Sequence, residues 1–204
     1  MNEPGREIRA ADVDRVRELA SIGAGHAANA FAALLGRTCS MRVPTVRVLP
    51  AERMDAPFVA NVRDDDRAGM VGVFFEVEGG LGGVLALLFS RAMRDRLIEQ
   101  LAGAPGKQVP PETAESALRE VGNILASHVV SAISDTLGVA VLPSIPLLAL
   151  EDAPSAFASL VALRQAERAA LRIETEISDR HGDLRALLVF VPDRTSVIAA
   201  PAGF

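Results

Sequence analysis

The 204-residue chain has no tryptophan and no tyrosine, eight phenylalanines, one cysteine and three histidines. Each scarcity closes off a class of function. Single-stranded nucleic acid is usually held on stacked rings beside phosphate-neutralising cations. Here the rings are few, no basic run accompanies them and the net charge is −5, so nucleic-acid binding is not expected. The lone Cys39 permits no internal disulfide, and nothing beside it suggests a nucleophile; it is expected to be a small buried apolar residue. His26, His128 and His181 form no His-x3-His or Cys/His cluster, so no metal site is expected. No Gly-x4-Gly-Lys-Ser/Thr loop offers a phosphate cradle. No run of 18 apolar residues is free of charge or polarity, so no membrane span is expected. The charged opening MNEPGREIRAADVD lacks an apolar signal core, which makes the cytoplasm the expected location.

Half of the residues are apolar, enough for a sizeable core. Against that background one polar pattern stands out. Ser116, Glu120 and Asn123 are spaced by four and three, which puts them on one face of a helix, and 22 residues then lead to Pro146. Asp14, Glu18, Ser21 and Pro44 repeat the spacing, and each member lies 102 positions before its counterpart. The offset extends further. Ile22 matches Ile124, His26 matches His128, Leu35 matches Leu137 and Gly36 matches Gly138. Val71 matches Ile173 and Leu85 matches Leu187, with no insertion needed up to residues 90 and 192. A repeat this long implies two pseudo-symmetric halves, about 12–102 and 112–204, in one domain.

In the first half, Asp12 or Asp14 is placed to cap a helix that ends at Gly36. Gly23-Ala24-Gly25 should weaken or kink that helix, because an interior glycine costs roughly 1 kcal/mol. Met41–Pro50 reads as a strand that starts near Pro44. Residues 51–69 read mostly as connection, with a possible strand at Phe58–Val62. The apolar runs 71–77 and 84–89, separated by glycines, read as a hairpin. Ser90 caps a helix closed by Gly103, and residues 103–111 form a break. In the second half, a helix from about Pro111 to Leu137 is followed by strand material at 139–150. The runs 157–167 and 171–177 also read as strands, and a turn at 180–183 leads to a last strand, Leu184–Val191. The expected fold is α+β: an antiparallel sheet with two long helices packed on it.

Glu18-Leu19-Ala20-Ser21-Ile22-Gly23-Ala24-Gly25 and Glu120-Val121-Gly122-Asn123-Ile124 carry a resemblance to the CheC-type chemotaxis protein phosphatase family (CheC, CheX and FliY). That family's signature is Asp or Ser, three residues, Glu, two residues, Asn, 22 residues, Pro. The resemblance implies hydrolysis of the aspartyl phosphate on a CheY-type response regulator. It makes Glu120 and Asn123 the catalytic pair: Asn123 orients the attacking water, and Glu120 meets a lysine of the regulator. It also implies no cofactor of the chain's own, the Mg²⁺ being supplied by the regulator. The chemistry suits the residues, since phosphoryl transfer depends mainly on positioning and an amide both donates and accepts. In the first copy Ser21 stands where Asn is expected, so the site at Glu18 and Ser21 is expected to be degenerate, with docking as its remaining use. The second functional reading is a non-catalytic module that binds a response regulator or the receptor deamidase CheD. An internal duplication can replace a symmetric dimer, so a monomer is expected.

Outside the polar pairs the readings are structural. Asp14 and Ser116 are expected near helix N-termini as caps or first-turn residues. Pro44 and Pro146 should shape the entry to a strand. His26 and His128 are read as packing residues.

Overall fold

The long apolar-and-alanine stretches form helices wherever their buried positions recur at helical spacing. The computed structural model describes residues 10–50, 53–54, 69–103, 109–164, 169–181 and 184–193. Helix α1 (Ala10–Leu35) leads to the short strands β1 (Cys39–Met41) and β2 (Thr45–Pro50). Strands β3 (Val71–Gly79) and β4 (Gly83–Phe89) follow, then α2 (Arg91–Ala102). Helix α3 (Pro111–Leu137) opens the second half and leads to β5 (Val141–Pro143) and β6 (Leu147–Ala149). Helix α4 (Ala153–Arg164), β7 (Ala169–Asp179) and β8 (Arg185–Pro192) complete the order. The alternative strand at Phe58–Val62 lies outside the described residues.

All the pairings are antiparallel and make one eight-stranded sheet, β1-β7-β8-β4-β3-β5, with β2 also on β7 and β6 also on β3. The strands after α1 therefore pair with the hairpin of the second half, and those after α3 pair with the hairpin of the first. Helices α1, α2 and α3 bury Phe31, Met93, Leu125 and Val129 against Val73, Phe75, Leu85 and Leu188 on one sheet face.

Local chemistry accounts for most boundaries. The Ser90 hydroxyl accepts from the Met93 N–H at 3.2 Å and opens α2. Pro111 occupies the first turn of α3, where its missing N–H costs nothing. Gly138 closes α3 in the left-handed region, φ 64°. Pro44 and Pro146 immediately precede β2 and β6.

Five expectations need correction. Helix α1 begins at Ala10 and α3 at Pro111, so Asp14 and Ser116 lie inside the helices and cap neither. Asp14 instead accepts a hydrogen bond from Arg17 at 2.8 Å. Helix α1 runs through Gly23-Ala24-Gly25 without a break. Gly23 is where α1 meets α3: a Cβ there would lie 3.2 Å from Val129 Cγ1, so the missing side chain supports tight packing. Of the run 157–167, read as a strand, residues 165–167 lie outside the described residues and residues 157–164 belong to α4, which packs on the other face of the sheet. Its buried residues Ala153, Phe157 and Val161 recur every four positions, a period hidden when the run is read from Phe157. The offset of 102 also fails in the last strand. Leu85 faces the helices and Leu187 faces α4, so the offset changes by an odd number within the hairpin. Finally, His26 and His128 are exposed rather than packed.

The charges of β7, unexpected in a central strand, are paired. Arg172 and Glu174 are both buried on the α4 face, with Arg172 Nη2 at 2.7 Å from Glu174 Oε1 and Nη1 donating to the Met54 carbonyl at 2.5 Å. Breaking such a pair would leave an uncompensated buried charge.

Helix α3 sits close on the sheet at Gly122. A Cβ there would lie 2.6 Å from Val73 Cγ1 and 3.3 Å from Phe75 Cζ. Gly122→Ala should therefore cost ~1–3 kcal/mol by overpacking and lower Tm by about 2–12 °C in thermal unfolding. Gly25 has open space around the same position, so Gly25→Ala should hold Tm or raise it.

Candidate functional site

Four residues of α3 set the geometry. Val121 and Gly122 are buried, while Glu120 and Asn123 on either side of them are exposed. The spacing of three puts Glu120 and Asn123 about one turn apart on the outward face. The buried pair beneath them is pinned to β3 through Gly122, so the backbone that carries the polar pair has little room to shift. Ser116, Ser127, Ser131 and Asp135 extend the exposed polar stripe along the helix. Beside it, Arg119 pairs with Glu115 at 3.2 Å. Among the described residues no hydrogen bond or ion pair engages Glu120 or Asn123, so both are available to a partner.

The first copy has the same placement but different equipment. Glu18 is exposed on α1, and Ser21 is half-buried. The Ser21 hydroxyl donates to the Arg17 carbonyl at 2.9 Å. That bond turns a short side chain back onto its own helix. Ser21 therefore lacks both the reach and the free donor of a carboxamide. The two stripes, on α1 and α3, lie in the same helical layer of the sheet. Asp14 and Ser116, the leading members of the two patterns, are exposed and one turn before the glutamates.

Cys39 is half-buried on β1. Burial, then the Asp179 carboxylate, pushes its thiol pKa up. A thiol held protonated is a poor nucleophile. Among the described residues no three His, Cys, Asp or Glu side chains converge as metal ligands. Nor, among the described residues, is any helix long and apolar enough to cross a membrane.

Sequence reasoning found both polar pairs but missed the segment that flanks them. The β5–β6 connection, Ser144-Ile145-Pro146, runs along β3 beside α3. In the sequence it showed only as strand material around Pro146, the proline that closes the repeated pattern.

The chain is similar to several known proteins. Residues 14–48 and 114–146, the two helix-to-proline stretches, match the CheC-like family. The chain is 29% identical over 196 residues to the CheY-P phosphatase CheC of Bacillus subtilis (strain 168), covering 93% of this chain and 91% of that protein. Among solved structures, FliY of Thermotoga maritima superposes with a TM-score of 0.67 at 21% identity, over 90% of this chain and 91% of that one. CheX in a CheX–CheY complex with BeF3 and Mg²⁺ from Borrelia burgdorferi gives a TM-score of 0.56 at 12% identity, over 84% of this chain and 96% of that one. At these identities the two structural likenesses speak for the fold.

Proposed function

Because two stretches of the chain match the CheC-like family, we propose that it is a phosphatase acting on the aspartyl phosphate of a CheY-type response regulator. The observation that carries this is the pair Glu120 and Asn123, exposed on one face of α3 and engaged by nothing else among the described residues.

Water attacks phosphorus in line with the bond to the aspartate oxygen. The new P–O bond forms as the acyl-phosphate P–O bond breaks, giving inorganic phosphate and a free carboxylate. Most of the barrier in such a step is lowered by positioning. The Asn123 carboxamide can accept from the water and donate elsewhere, which orients the water without removing its proton. Glu120, a turn away, is placed to pair with a cation on the regulator and set the docking register. Mg²⁺ in this scheme stays with the regulator, where it offsets charge on the phosphoryl oxygens. The first stripe is left a docking role through Glu18, with the regulator or the deamidase CheD as its partner. The functional unit in this scheme is a monomer, its two stripes carried by one chain.

A specific observation keeps a second reading in play. The Ser21 hydroxyl is bound to its own helix, so one of the two stripes has lost its water-positioning group. If the other stripe also fails to turn over, the protein is a binding module of the same fold.

Phosphate release from an acyl-phosphorylated CheY-type regulator separates the two. The intact protein should accelerate release. Asn123→Ala should lower the rate about 100-fold, the scale of a lost positioning group, while Ser21→Ala leaves it unchanged. Glu120→Ala should raise KM for the regulator at least about tenfold. Saturable association without accelerated release would overturn the enzymatic reading in favour of the binding module.

A further inference from the structure

The connection between β5 and β6 holds one large apolar side chain in the open. Ile145 is 83% exposed. Its backbone is not loose. The Ser144 N–H donates to the Glu76 carbonyl at 2.8 Å, and the Ser144 hydroxyl accepts from the Glu76 N–H at 3.0 Å. The same hydroxyl donates to the Ile145 carbonyl at 2.9 Å. On the other side stands Pro146, and a residue before proline is restricted to extended backbone. An isoleucine is thus fixed in solvent by three hydrogen bonds and a ring.

The first half repeats this placement. Val43, 77% exposed, directly precedes Pro44, and the Arg42 N–H donates to the Glu176 carbonyl at 2.9 Å, as Ser144 does to Glu76. Two β-branched side chains at matching positions are therefore displayed by matching backbone anchors. Leu163, 87% exposed on α4, lies on the opposite layer of the sheet and reads as ordinary surface exposure. Leu142 and Leu147 also differ from Ile145. They alternate with Val141 and Leu148, which pack into the helix-side core, and so belong to the other side of the sheet.

Ile145 is level with the polar pair. Gly122 rests on Val73 and Phe75 of β3. On the neighbouring edge, Leu147 pairs with Phe74 and Pro143 with Val77, which places Ile145 beside Phe75. Neighbouring strands are about 4.8 Å apart, and β6 comes within 8 Å of α3, Cα to Cα. A standard interface covers about 800 Å² on each partner, a patch about 30 Å across. A partner centred on Glu120 and Asn123 therefore covers this edge as well.

We infer, on the phosphatase assignment above, that Ile145 is an apolar docking anchor for the phosphorylated regulator. The occupant is the face of the regulator around its acyl phosphate, with an apolar patch to the side of the aspartate and a cation for Glu120. A fixed apolar anchor beside a polar pair loses little freedom on binding and excludes water from the rim of the reacting group. Ile145 contributes to recognition and makes no contact with the reacting atoms.

The test is phosphate release at varied concentrations of the acyl-phosphorylated regulator, with the full chain. Ile145→Ser should raise KM about tenfold with kcat retained, the pattern of lost docking. Leu163→Ser, equally exposed on the other layer, should change neither. Unchanged KM in Ile145→Ser, with the intact protein active, would overturn the anchor and leave the phosphatase assignment standing. No acceleration by the intact protein would overturn both. Sedimentation of the intact protein and of Ile145→Ser covers the other occupant: a dimer that the substitution converts to monomer would assign the side chain to a second copy of this chain instead.

Discussion

The contact of the α3 backbone with Val73 at Gly122 is the constraint on which the site depends. A glycine lets the helix sit closer to the sheet than any side chain would permit. Glu120 and Asn123 are attached on either side of that seat. Positioning chemistry tolerates errors of only about half an ångström, and a helix pressed on a central sheet meets that demand better than a loop. The sheet is itself stiff there, because β4 and β8 are buried along nearly their whole length and lock the two hairpins together.

The duplication puts a polar stripe on each long helix and equips the two differently. In α1 the close approach is at Gly23, and it faces α3 rather than the sheet. The polar stripe there ends in a hydroxyl bonded to its own helix. Similar backbones thus present one stripe with a free carboxamide and one without. The proposed division of labour between catalysis and docking rests on that difference of one side chain and its hydrogen bond.

The exchange of strands ties the two stripes to each other. Segments following each long helix pair with the hairpin of the opposite half, so neither half can bury its sheet edge alone. The same exchange brings the β5–β6 connection alongside α3, where Ser144 fastens it to Glu76. An apolar side chain on that connection is thereby held in a fixed position although the stretch is short and irregular.

Much of this was legible in the residues. Spacings of four and three placed Glu120 and Asn123 on one helical face, because helix periodicity is local. The 102-residue offset revealed the duplication, because repeated spacing survives without any contact being known. Caps at Ser90 and Gly138 marked ends for the same local reason. Other features depended on distant partners. Helix α4 was misread because its period starts at Ala153, ahead of the apolar run, and only the second sheet face explains what it covers. The burial of Arg172 with Glu174 depends on the Met54 carbonyl, brought to it from 118 residues away in the chain. The offset failed at Leu187 because a strand's facing is decided by register, which a hairpin can shift by one residue. The display of Ile145 came from the clamp of Ser144 on Glu76, across 68 residues of chain. Local periodicity thus settled which residues share a face; which faces are covered, and by what, was left to contacts that only the folded chain creates.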